Sequence, residues 1–136
     1  MTERLPTVYP TLRYRDAQGA IRWLTEVVGF SQHSVMSAPD GTVSHAELAW
    51  GDGGMVMLGT RTDTPSPYDT GQACIYLVLD EVDAHHDRAV AAGAEIVMGL
   101  TDQPYGSREY AVRDPEGNVW CFGTYQPATT QPAAAT

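Results

Sequence analysis

The chain repeats itself. Slid against itself by 64 residues, it aligns Asp16 with Asp80, Ala20 with Ala84, Gly29 with Gly93, Gly53 with Gly117, Gly59 with Gly123 and Thr60 with Thr124. Six identities carry little weight as a number. Their placement carries more, because each falls where a regular element must start, stop or turn.

In the first half, Tyr9 to Tyr14 has the pattern of a strand, and Asp16 is placed to cap a helix whose apolar stripe is Ala20, Ile21, Leu24, Val27 and Val28. Gly29 ends that helix. Strands are then expected over Phe30 to Met36, Val43 to Trp50 and Met55 to Gly59, with turns at Pro39-Asp40-Gly41 and Gly51 to Gly54. The second half gives the same order: a strand over Cys74 to Leu79, a helix from Asp80 or Glu81 to Ala92 stopped by Gly93, and strands over Ala94 to Met98, Ser107 to Arg113 and Val119 to Thr124.

The expectation is therefore an α+β protein of two tandem βαβββ modules. Module 1 covers about 6–60, a linker with Pro65 and Pro67 covers 61–71, and module 2 covers about 72–126. Together they make one domain over 1–126, followed by a Pro, Ala and Thr tail over 127–136 that is expected to be disordered. A four-stranded sheet with one helix buries only one face, so two such sheets set side by side are expected to curve around a cleft.

Composition removes several function classes. A net charge of −9 argues against nucleic acid, which needs clustered cations for its phosphates, and mildly favours a cationic ligand. No apolar run approaches the roughly 20 residues of a membrane span, and Met1 to Pro10 lacks the pattern of an export signal. A cytoplasmic protein is expected, with its two cysteines, Cys74 and Cys121, reduced.

The second half then becomes recognisable in Leu79-Asp80-Glu81-Val82-Asp83-Ala84, Ala91-Ala92-Gly93-Ala94, Tyr105-Gly106-Ser107-Arg108-Glu109-Tyr110 and Arg113-Asp114-Pro115-Glu116-Gly117-Asn118. Together with His45-Ala46-Glu47-Leu48 in the first half, these segments resemble the vicinal oxygen chelate superfamily. It includes glyoxalases, extradiol dioxygenases and bleomycin-resistance proteins, and the PhnB-like or bleomycin-resistance-like branch is the nearest in pattern. The resemblance implies a glyoxalase-like fold and a homodimer whose clefts are shaped by both chains.

In the metal-dependent enzymes of that superfamily, His or Glu on the first and last strand of each module holds a divalent ion. Carried onto this chain, those positions are Tyr9, Met57, Cys74 and Cys121. None is His, Asp or Glu, so no metal and no cofactor is expected. A soft site of Cys74, Cys121 and Met57 ranks below two reduced core cysteines.

The function that follows is capture of a small organic ligand, aromatic or cationic, of the kind that sequesters an antibiotic or a related metabolite. The residues expected to line the pocket are Tyr9, Thr11, Trp50, Met57, Cys74, Tyr76, Arg108, Tyr110 and Cys121, with no catalytic residue among them. By strand alternation, Met57 and Cys121 face the cleft while Val56, Leu58, Trp120 and Phe122 face the helix.

Bland alternatives accompany several of these residues. Arg108 suits a ligand carboxylate or phosphate, or an ion pair with Glu109 or Asp114. His45 and Glu47 share a strand face, as ligand contacts or, by preference, as a polar pair at the surface or at a dimer seam. His85 and His86 are expected to be packing or surface histidines of the second helix. Tyr105 and Gly106 form a loop able to close over a ligand, and Arg113 to Gly117 is read as a structural turn. The competing function is a metal-dependent lyase, isomerase or dioxygenase whose ligands have moved to residues such as His45 and Glu47, and a weaker third is a thiol-based regulator.

Overall fold

The computed structural model describes residues 5–128 of the chain. Its elements run β1 (Thr11–Tyr14), α1 (Ala17–Trp23), β2 (Ser31–Ser37), β3 (Val43–Trp50), β4 (Gly54–Thr60), β5 (Cys74–Val78), α2 (Val82–Ala91), β6 (Glu95–Asp102), β7 (Arg108–Arg113) and β8 (Val119–Gly123). This is βαβββ twice, as the repeat predicts. The expected tail lies almost wholly outside the described residues.

Each module forms a four-stranded sheet, β1-β4-β3-β2 and β5-β8-β7-β6, with the first strand parallel to the last. The registers show how the repeat works. Ala46 faces Leu58 and Tyr110 faces Phe122, so β3 and β4 map onto β7 and β8 at the offset of 64. The first strands are displaced by one, since Thr11 pairs with Met57 whereas Tyr76 pairs with Cys121.

Local chemistry accounts for the elements. The Asp16 carboxylate accepts the Gly19 amide at 2.9 Å and so caps α1. The helix loosens into a π-turn over Leu24–Val28, and Gly29 then closes it at a φ of 105°, a conformation most side chains avoid. Gly93 does the same after α2. The stripe is observed with one adjustment: Ala20, Ile21, Leu24 and Val28 are buried, while Val27 is only half-buried. β6 runs four residues further than Met98, carried past two register irregularities that let the edge strand bend.

One core serves both modules. Phe30 and Trp50 of module 1 pack against Trp120, Phe122 and His85 of module 2, with ring centroids between 5.2 and 6.1 Å for the Phe30–Trp50, Phe30–Trp120, Trp50–His85 and Trp50–Phe122 pairs. Hydrogen bonds also cross this seam. Trp50 donates its indole N–H to the Val78 carbonyl at 2.9 Å, and Tyr14 donates its hydroxyl to Asp114 at 2.7 Å. Trp50 and Asp114 are equivalent positions of the repeat, and each meets the last residue of the other module's first strand.

Asp114 is buried at 4% exposure and also accepts the amides of Glu116 and Asn118, the Asn118 side-chain amide and the Trp120 indole. Burial and the facing Asp114 carboxylate hold Tyr14 far above the usual phenol range. Glu116 accepts the amides of Arg15 and Asp16 at 2.8 and 2.9 Å, closing the start of α1 from the other module. The structural reading of the Arg113 to Gly117 turn is thus given a concrete form. On the far side, His85 joins α2 to the end of the first helix, its Nε2 donating to the Val28 carbonyl while Nδ1 accepts from the Tyr110 hydroxyl.

Two outcomes follow. Asp114→Ala strands five donors from buried or partly buried residues and should lower stability by about 3 kcal/mol or more in urea unfolding, whereas Tyr14→Phe should cost about 1 kcal/mol. Burial lowers the His85 pKa below its ordinary 6.5. The unfolded chain therefore takes the proton first on acidification, so this contribution is complete above that pH and is lost below it. A His85→Phe variant should show a shallower fall in stability below pH 6.5 than the parent protein.

Candidate functional site

Packing one face of each sheet on the shared core leaves the opposite face of each without cover. On the first sheet this open face carries Thr11, His45, Glu47, Ala49, Met55 and Met57, none of them buried. His45 Nε2 lies 2.9 Å from Glu47 Oε2, and His33 Nε2 lies 3.8 Å from the other carboxylate oxygen. A cavity of about 620 Å³ opens here, bordered by Tyr9, His33, Glu47, Met55, Met57 and the Gly51–Gly54 turn.

On the second sheet the open face carries Cys74, Tyr76, Glu109, Ala111 and Cys121. Glu109 is only 7% exposed, although it points away from the core. Gly123 explains this: it is the cross-strand partner of Glu109, and any side chain there would collide with the Tyr76 hydroxyl and the Glu109 side chain. Tyr105 donates its hydroxyl to both Glu109 oxygens at 2.9 Å, and Tyr76 donates to the Tyr125 carbonyl at 2.7 Å. Tyr105 thus bonds the carboxylate directly, and the Tyr76 hydroxyl lies near it on the same face.

The charge of Glu109 is felt by its neighbours. It raises the Tyr105 pKa through their hydrogen bond, and it adds to the burial that raises Tyr76. Cys74 and Cys121 are both free thiols with their sulfurs 3.9 Å apart. Burial first, then Cys74 and Glu109, push the Cys121 thiol up to about 11.

The nine residues expected to share one pocket are divided. Thr11 and Met57 lie on the first open face with Tyr9 at its border, and Cys74, Tyr76 and Cys121 lie on the second. Trp50 and Tyr110 belong to the core instead: Trp50 packs on Phe30 and Phe122, and Tyr110 is fully buried, stacked on Phe122 and bonded to His85. Arg108 turns away from the open face and pairs with Asp83 and Asp102 at 2.7 and 3.0 Å, rather than with Glu109 or Asp114.

The displacements of Trp50 and Tyr110 have one cause. Trp50 lies on the strand face of Leu48, and Tyr110 is paired with Phe122, so both belong with the residues that face the helices. The same parity brings in Glu47 and Glu109, which the sequence reading did not place in the pocket. Their signal was available in the cross-strand partners of Met57 and Gly123.

A glyoxalase family model, described as the Glyoxalase/Bleomycin resistance protein/Dioxygenase superfamily, matches residues 7–122. The chain belongs to this superfamily. Among solved structures, TioX from Micromonospora sp. ML1 is 36% identical, with a TM-score of 0.71 over 90% of this chain and 98% of that one. A lactoylglutathione lyase from Agrobacterium tumefaciens has a TM-score of 0.65 at 24% identity over 87% of this chain and 93% of that one, a likeness of fold alone. An uncharacterized protein of Mycobacterium bovis is 33% identical over 87% of this chain and 82% of its own length.

Metal-dependent members of the superfamily require oxygen and nitrogen donors around a divalent ion. At the corresponding positions this chain offers a phenol, a thioether and two thiols, one of them with its pKa raised to about 11. Such a set does not suit an ion that chelates substrate oxygens. Among the described residues, no three His, Cys, Asp or Glu side chains are grouped to hold a metal. No helix among them is long and apolar enough to cross a membrane.

The two thiols should differ in reactivity. Iodoacetamide at pH 8 is expected to alkylate exposed Cys74 first and Cys121 at least about tenfold more slowly, because the thiolate is the nucleophile. Peptide mass spectrometry over a time course reads this, and equal rates would contradict the raised thiol.

Proposed function

We propose that the protein binds a small cationic or aromatic organic molecule without transforming it, in a cleft made by the first open face of one chain and the second open face of another. The observation that carries this reading is Glu109, a carboxylate on an uncovered sheet face that Tyr105 bonds through both oxygens, with the Tyr76 hydroxyl close enough to feel its charge. Carboxylates surrounded by aromatic rings attract organic cations through charge and through the ring faces together.

The second chain enters for a physical reason. Among the described residues, no hydrogen bond or ion pair joins a side chain of one open face to a side chain of the other within a chain, so neither face is closed by its own partner module. Superfamily membership supports the same pairing, since shared clefts in a homodimer are what the resemblance implies. Capture of an antibiotic or a related metabolite is the use such a cleft fits best. The cytoplasm is the compartment that keeps Cys74 and Cys121 as two thiols.

Calorimetric titration with a panel of aromatic cations tests the reading. Binding is expected for at least one member, weakened about tenfold by Glu109→Gln, which corresponds to about 1.4 kcal/mol. Light scattering should report a dimer. A panel without a binder, or a variant that binds equally well, would sink the proposal.

A further inference from the structure

The protein has no lysine, and its eight cations are all arginines set against seventeen acids. Four of those arginines, Arg13, Arg15, Arg61 and Arg113, line one cleft of about 920 Å³. The cleft lies at the seam between modules, where the β1–α1 corner and the 61–73 connection meet the Arg113–Asn118 turn. It shares no residue with the cavity on the first open face, and none of the residues assigned to ligand capture lines it.

Three acids share the lining, and each is occupied. Glu95 holds Arg113 through Nη1, Glu116 accepts two backbone amides, and Asp114 is saturated by its buried donors. Asp69, just beyond the rim, lies 3.8 Å from Arg13, whose guanidinium stands 5.6 Å over the Tyr68 ring. Arg61 donates to the Thr70 and Asp69 carbonyls at 2.8 and 3.1 Å and, among the described residues, has no carboxylate partner. The Arg15 side chain is exposed and makes no hydrogen bond or ion pair among the described residues.

Two guanidiniums that have no counter-charge among the described residues therefore face a cleft whose lining holds four cations against three committed carboxylates, on a chain of net charge −9. Guanidinium groups bind planar and tetrahedral oxyanions through paired N–H donors, and a pocket that carries several of them selects multivalent ligands. We propose that this cleft is a second binding site, for a small multivalent oxyanion of the phosphate or polycarboxylate class, held by Arg15 and Arg61. An anion seated there would tie the first module's arginines to the Asn118 side of the second.

The test is calorimetry with inorganic pyrophosphate and with citrate, each at constant ionic strength made up with sodium chloride. Saturable binding of at least one is expected, and which one binds assigns the site to a phosphate or a carboxylate ligand. Arg15→Gln should weaken it at least about tenfold without loss of fold, because that side chain is exposed and makes no bond among the described residues. Arg61→Gln should weaken it as much, and Arg22→Gln, on the outer surface of α1, should leave it unchanged. Glu109→Gln, which probes the open-face site, should also leave it unchanged, so the two sites fail or succeed separately. No saturable binding of either anion, or equal losses in the Arg15 and Arg22 variants, would overturn the proposal.

Discussion

A carboxylate removed from water must be surrounded by donors, and the structure depends on one such group. Asp114 draws to itself a hydroxyl from β1, an indole from β8 and the amides of its own turn. Replacing water around a charged group takes several well-aimed hydrogen bonds, and these come from both modules. Their agreement fixes how the modules sit against each other. Once that is fixed, the aromatic core is shared, the helices lie inside the seam, and the remaining face of each sheet must look outward.

Much of this was legible in the sequence. The repeat of 64, the Asp16 cap and the paired glycines Gly29 and Gly93 gave the two modules and nearly all the strands. The site was less legible, for a reason visible in Trp50, Tyr110 and Arg108. Alternation along a strand is certain, but it says nothing about neighbouring strands until their register is known. Met57 and Cys121 follow the alternation of their own strands, but only the register carries that parity across the ladder to β3 and β7, where it selects Glu47 and Glu109. Chemistry misled as well: tryptophan and tyrosine suit ligands and cores equally, and here the core took them.

Charge is distributed with more order than the total of −9 suggests. Half of the arginines gather at the seam, where buried acids already hold the modules together. The open face of the second sheet keeps a carboxylate beside tyrosine hydroxyls, with its effect felt in the raised pKa of Tyr105. One molecule thus carries an arginine-lined cleft in one place and a carboxylate beside tyrosine hydroxyls in another.

The reciprocal bonds from Trp50 to Val78 and from Tyr14 to Asp114 bear on the history of the duplicated halves. Each half now stores part of its sibling's polar satisfaction, so neither could be set free by cutting the connecting segment. Released alone, either would expose tryptophan and phenylalanine along with orphaned donors, and would find relief in clumping rather than in folding. The two similar modules are therefore indivisible in folding, and melting should proceed as a single event.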